Sequence, residues 1–201
     1  MKRIVVGITG ASGSIYGLRL IEELLRAGTQ VTVLVTVAGR QVLAYETGLE
    51  LDPAAERCTR QLQDYFQAAD KLRHFALDDF FAPAASGSNA ADAVVICPCS
   101  MGTAGRIAAG LADNLLERAA DVALKERKTL LLVPRETPFN SIHLENLLRL
   151  TNAGAQILPA MPAFYRKPET VSDLVDFMVG KILDSLAVEH QLFARWGTEQ
   201  A

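Results

Sequence analysis

The sequence is short of the groups that announce a metal or redox centre. Its 201 residues include three cysteines (Cys58, Cys97, Cys99) and three histidines (His74, His143, His190). An odd cysteine count without a framework argues against a disulfide-stapled secreted domain. Cys97 and Cys99 form a CxC pair, but a closed zinc site needs about four ligands. No metal-like spacing joins the pair to Cys58 or to the scattered histidines, and a Cys-x-x-Cys redox motif is absent. A basic excess is missing too. Twenty Lys and Arg stand against 23 Asp and Glu, a net charge of −3, which argues against a nucleic-acid footprint. No stretch approaches the roughly 18 apolar residues of a membrane span. The start, MKRIVVGITGASG, lacks the long apolar region and cleavage site of a signal peptide. Internal repeats, low-complexity tracts and linkers are lacking as well. These absences leave a cytoplasmic protein of one domain over 1–201, with a polar tail from about 187.

What is present is a hydrophobic half, sufficient for a sizeable core, arranged in alternating patterns. RIVVGI (3–8), QVTVLVT (30–36), AVVIC (93–97), TLLLVPRE (129–136) and the short AQILPA (155–160) read as buried strands. Between them run helical periodicities. YGLRLIEELLRAG stops at Gly28, and AGRQVLAYETGLEL stops near Gly48. PAAERCTRQLQDYFQAADKL (53–72) reads as a polar, exposed helix. GTAGRIAAGLADNLLERAADVALKERK is expected to break near Gly110. SIHLENLLRLTNAG and ETVSDLVDFMVGKILDSLA complete the set. FAPAASGSNAADA (81–93) reads as a loop. The alternation predicts an α/β fold: a Rossmann-like, flavodoxin-type, doubly wound parallel sheet flanked by helices.

Ligands of such sheets sit beyond the carboxyl ends of the strands, so four loops belong together. In TGASGSIYG, Gly10 and Gly13 allow a tight turn, the following helix offers N–H groups to an anion, and Ser12 adds a hydroxyl. The spacing is not G-x-G-x-x-G. Tyr16 stands where a third glycine would ease helix–strand approach, and the second strand ends at Thr36 without an acid for an adenosine ribose. A mononucleotide phosphate or a flavin fits better than NAD, and a generic βα turn is the plain alternative. Thr36 is a weak ligand candidate alone. CPCSMGT reads as a pocket lip: the cysteines pack, while Ser100, Gly102 and Thr103 present hydroxyls and N–H groups. In VPRETPFN, Arg135 and Glu136 follow an apolar strand, either as a functional pair or as a surface ion pair. Arg118 and Lys125 lie seven residues apart on nearly one helix face, with Asp121 between them. An exposed, ion-paired face is the plain reading. A phosphate site made with Arg135 and Lys181 is the sharper one.

The segments GITGASGSIYGLRL, ET (46–47), ASGS (85–88), CPCSMGT, ERAADVALKERK, VPRETPF with HLENLL, and PAFYRKPET occur in this order. Together they resemble the flavin prenyltransferase family, the UbiX proteins, from end to end. The wider relatives are flavin-dependent cysteine decarboxylases. The resemblance implies a metal-independent reaction in which reduced FMN is alkylated by dimethylallyl phosphate at N5 and then closed at C6. The product, prenylated FMN, serves UbiD-type decarboxylases, ubiquinone biosynthesis being one pathway supplied. By matching motif, Gly10, Ala11, Ser12, Thr36, Ser100, Met101, Gly102, Thr103 and Arg135 are implied to hold FMN, with Ser12 near N5. Tyr165, Lys181, Lys125 and Arg118 are implied to hold the donor phosphate, joined by Ser86. Glu46 and Glu136 are implied to line the active centre, Glu136 moving a proton to the departing phosphate. Tyr165 and Trp196 are candidates to stabilise an allylic cation, Trp196 being equally readable as a plug where the tail docks. The family commonly has arginine where this chain has Lys181, which keeps the charge and loses the bidentate fork. The resemblance also implies a homo-oligomer, a dodecamer, whose sites draw on several subunits. The alternatives are a decarboxylase of the related group, which typically uses a histidine that the early loops here lack, and a non-catalytic flavin carrier.

Overall fold

A computed structural model describes residues 1–193. Six strands form one parallel sheet: β1 (Arg3–Ile8), β2 (Gln30–Val35), β3 (Leu72–His74), β4 (Ala93–Cys99), β5 (Thr129–Pro134) and β6 (Gln156–Ile157), in the order β3-β2-β1-β4-β5-β6. Seven helices connect and cover them: α1 (Ser14–Arg26), α2 (Val37–Thr47), α3 (Ala55–Phe66), α4 (Met101–Ala108), α5 (Leu115–Lys125), α6 (Ser141–Asn152) and α7 (Val171–Ser185). Successive strand side chains point to opposite faces, so continuous apolar runs feed two cores at once. Ile4, Val6 and Ile8 join Leu20, Ile21 and Leu24 of α1 and Val179, Ile182 and Leu183 of α7. Val5, Val94 and Ile96 join α4, α5 and Leu147 and Leu150 of α6 on the other side. The expected doubly wound sheet is therefore present. One refinement concerns its flavodoxin-type label: the order runs outward from β1 through β2 to β3 on one side and β4 to β6 on the other. That is the two-halved Rossmann order, and its topological switch point lies between β1 and β4.

Helix starts follow from side chains that accept first-turn N–H groups. Thr36 caps α2, Ser100 caps α4 and Asn114 caps α5, while Asn140 and Thr170 open α6 and α7 with capping boxes. The expected break near Gly110 separates α4 from α5, and Arg106 spans that break by pairing with Asp113 and the buried Glu117.

The stretch 53–72 departs from expectation. Its helix ends at Phe66, and a 3₁₀ turn at Ala69–Lys71 leads into β3, which pairs with Val31–Val33. Three residues are too few for periodicity to register, so the neighbouring strand decides this element. Nor is α3 exposed throughout: Cys58 and Leu62 are buried against the sheet. The 81–93 loop carries 3₁₀ turns at Pro83–Ala85 and Gly87–Asn89. No described helix is long and apolar enough to cross a membrane.

Candidate functional site

The switch point opens a crevice between the loop after β1 and the start of α4. Thr9, fully buried, joins its walls: its Oγ1 donates to the Pro98 carbonyl at 2.8 Å and accepts from the Ser100 N–H at 2.8 Å. Gly10 then packs so closely on α2 that a Cβ would lie 2.7 Å from that of Ala38. The helix–strand approach that a third glycine would ease at the Tyr16 position is provided one residue later. At Gly17 a Cβ would stand 2.4 Å from the Cys97 carbonyl oxygen.

The start of α1 corrects one expectation. Its N–H groups are not all open to an anion, because Glu46, at the end of α2, accepts from Gly13 N at 3.0 Å and Ser14 N at 2.8 Å. Burial pushes the Glu46 pKa up, but the Ser12 side chain and the Ser14 and Gly13 N–H groups outweigh it, and the net direction is down. A fixed carboxylate thus stands at this helix terminus beside Ser12.

The start of α4 is more open. First-turn N–H groups have no intrahelical acceptor; Ser100 Oγ accepts that of Thr103 at 3.2 Å, leaving those of Met101 and Gly102. Nothing lies within 4 Å of a Cβ built at Gly102. Thr36 Oγ1 accepts from Gly39 N at 2.9 Å, which leaves its proton to donate. Arg135 donates from Nε to the Ser12 carbonyl at 3.1 Å, and its remaining guanidinium nitrogens have no partner among the described residues. Backbone and hydroxyl donors, one guanidinium and small residues at the points of approach suit an anionic, planar ligand such as a flavin mononucleotide. Arg135 and Glu136 do not pair with each other; Glu136, exposed, accepts from Thr137 N at 3.0 Å.

Both cysteines of CPCSMGT are packing residues. A register shift between Ile96 and Cys99 sends the two side chains to opposite cores. Burial pushes the Cys99 thiol up to about 12 and the Cys97 thiol higher still. Among the described residues no three His, Cys, Asp or Glu gather as metal ligands.

The expected phosphate ligands are dispersed within one chain. Arg118 donates from Nε to the Ala85 carbonyl at 3.0 Å and pairs with Asp121 at 2.6 Å, so Asp121 serves Arg118 rather than Lys125. Lys125 pairs with Glu126 beside Gly87, close to Ser86, which shares a hydrogen bond with Ser88. Lys125 precedes β5 and Arg135 follows it, so the strand sets them roughly 20 Å apart at about 3.3 Å per residue. Lys181 lies on α7, across the sheet from α5. Tyr165 meets Phe177 of that helix edge-on, ring centroids 6.1 Å apart. The proposed cluster of Arg118, Lys125, Arg135 and Lys181 therefore does not form within one chain. Trp196 lies outside the described residues. Thr9, Gly17 and the capping role of Glu46 escaped the sequence reading. A threonine between an apolar strand and a glycine loop was the only sequence signal for the first.

A family model described as Flavoprotein matches residues 1–183. A flavin prenyltransferase UbiX of Pseudomonas aeruginosa is 50% identical over 199 residues, covering 98% of this chain and 95% of that protein. A crystal structure of AnUbiX with FMN and dimethylallyl pyrophosphate superposes with a TM-score of 0.87 at 37% identity, covering 99% of both chains. A dodecameric FMN-dependent UbiX-like decarboxylase from Escherichia coli O157:H7 gives 0.85 at 37% identity, covering 96% of this chain and 98% of the other.

Proposed function

The chain belongs to the flavoprotein family and, within it, to the flavin prenyltransferases, and from that premise we infer that it transfers a dimethylallyl group from dimethylallyl phosphate to reduced FMN, making prenylated FMN. The observation that carries the reading is the switch-point crevice, where the Gly10–Ser12 loop, Thr36, the open start of α4 and Arg135 converge. Reduced FMN, when bound there, supplies the nucleophilic N5 and C6 positions. Gly10, Ala11, Ser12, Thr36, Ser100, Met101, Gly102, Thr103 and Arg135 hold it by backbone N–H, hydroxyl and guanidinium groups. Glu46, fixed beside Ser12, keeps a carboxylate at that wall and orients the serine hydroxyl.

Arg118, Lys125, Lys181, Tyr165 and Ser86 neutralise the donor phosphate as it leaves. Because one chain spreads these groups over two faces of its sheet, the site is completed by neighbouring copies. Tyr45, Val37 and Phe81 are strongly exposed apolar side chains available for such contacts. A homo-oligomer, a dodecamer, fits this requirement. Glu136 returns a proton to the phosphate, and a Glu136→Gln enzyme that turns over normally removes it from that role. Tyr165, with Trp196 of the tail, shields and stabilises allylic positive charge. The protein acts in the cytoplasm as one domain over residues 1–201, and its product passes to a UbiD-type decarboxylase.

The test is anaerobic incubation with reduced FMN and dimethylallyl phosphate, without added metal, followed by mass analysis of the flavin. A donor-dependent gain of one C5 unit is expected. FMN that binds and stays unmodified with both the phosphate and the pyrophosphate donor overturns the reading in favour of a decarboxylase or a carrier.

A further inference from the structure

We propose that Thr9 is the positioning residue that sets the two walls of the crevice against each other and thereby fixes flavin affinity. The starting point is where the sheet stops. β1 and β4 pair from Ile4↔Ala93 to Gly7↔Ile96, and beyond Ile96 the register of β4 shifts. The regular ladder therefore gives out just before the strands reach the crevice. Thr9 takes over there. Its backbone N–H reaches the Pro98 carbonyl at 3.3 Å, a long bond, while its hydroxyl donates to the same carbonyl at 2.8 Å and accepts the Ser100 N–H at 2.8 Å.

Each group so bound leads directly into a wall. Gly10, Ala11 and Ser12 follow Thr9 in the chain. Ser100 is the N-cap of α4 and, through its own hydroxyl, holds the Thr103 N–H and meets the Thr103 hydroxyl at 3.0 Å. One buried hydroxyl thus couples the glycine loop to the cap that aims the Met101 and Gly102 N–H groups. Thr9 itself is fully buried, so it acts through Ser100 and the loop. The inference rests on the reading of this crevice as the FMN site.

Thr9→Val keeps the branched shape and removes the hydroxyl. It leaves the part-buried Ser100 N–H without its acceptor, which is costly enough to turn the cap. FMN affinity, measured by quenching of flavin fluorescence, and KM for FMN are expected to weaken about tenfold, ~1.4 kcal/mol. The donor KM stays unchanged. Thr9→Ser retains both bonds and is expected to stay within about twofold of the parent, because it keeps the group that matters. A purely structural role moves Tm and leaves the FMN dissociation constant of the folded fraction where it was. If Thr9→Val does not accumulate as folded protein, Thr9→Ala and Thr9→Ser are compared, since they differ by one hydroxyl. A valine or alanine variant that binds FMN as tightly as the parent overturns the proposal, as does a serine variant as weak as either. A parent protein that binds no FMN overturns the functional reading and this inference with it.

Discussion

Acidification is expected to destabilise the fold through one buried histidine. His74 ends β3 and is almost fully enclosed. Its Nδ1 donates to the Val33 carbonyl at 2.8 Å, and its Nε2 accepts from Arg40 at 2.9 Å, so the ring sits neutral with both nitrogens used. Burial, aided by the Arg40 charge and opposed by the Val33 carbonyl, lowers its pKa from 6.5 to about 4. The unfolded chain takes up this proton near 6.5 and the folded chain only near 4. Between those values the unfolded state binds more protons, so stability rises with pH. The contribution is complete above about 6.5 and is lost as the pH falls toward 4. A gap of 2.5 units at 1.36 kcal/mol each gives about 3 kcal/mol. Urea unfolding at fixed protein concentration, at several pH values from 7.5 to 4, measures it against His74→Asn, which cannot titrate. The parent is expected to lose about 3 kcal/mol more than the variant across this window. Equal pH slopes for the two proteins would refute the reasoning, since every other titratable group is common to both.

Two further outcomes follow from packing. Gly17→Ala forces a Cβ to 2.4 Å from the Cys97 carbonyl oxygen, and because backbone cannot swing aside as a side chain can, a loss of about 1–3 kcal/mol is expected. Thermal denaturation reads this as a Tm lower by several degrees, and an unchanged Tm would show that α1 shifts without cost. The Cys58, Cys97 and Cys99 thiols are all buried with raised pKa values. A thiol-reactive chromophore at pH 8 should therefore label none in the folded protein and three in denaturant. Rapid labelling of Cys97 or Cys99 before unfolding would contradict the assignment of both to the core.

Much of the architecture was legible in single segments. RIVVGI and AVVIC had to be strands covered on both faces, because an unbroken apolar run leaves no polar face for water. The three residues of β3 were not legible, since their strand character comes from pairing with Val31–Val33 rather than from any pattern of their own. The crevice followed the same division. Gly10, Ser12, Ser100, Thr103 and Arg135 announced themselves by residue type at strand ends. Glu46 did not, because its hold on Gly13 and Ser14 bridges 32 or 33 residues of chain.

The sequence by itself determined the alternation of strand and helix, the glycine stops at Gly28 and near Gly48, the packing role of Cys97 and Cys99, and the family. All of these rest on local pattern or on the order of motifs. Only the tertiary structure decided which groups share a place. It put Thr9 between two walls and set the third close-approach glycine at Gly17. It turned Cys97 and Cys99 to opposite cores through a shift in register. It also separated Lys125 from Arg135 by the length of β5 and set Lys181 across the sheet from α5. Charge and hydrogen bonding act over a few ångströms of space, and the distance between two positions in the chain fixes that space only after the sheet has formed.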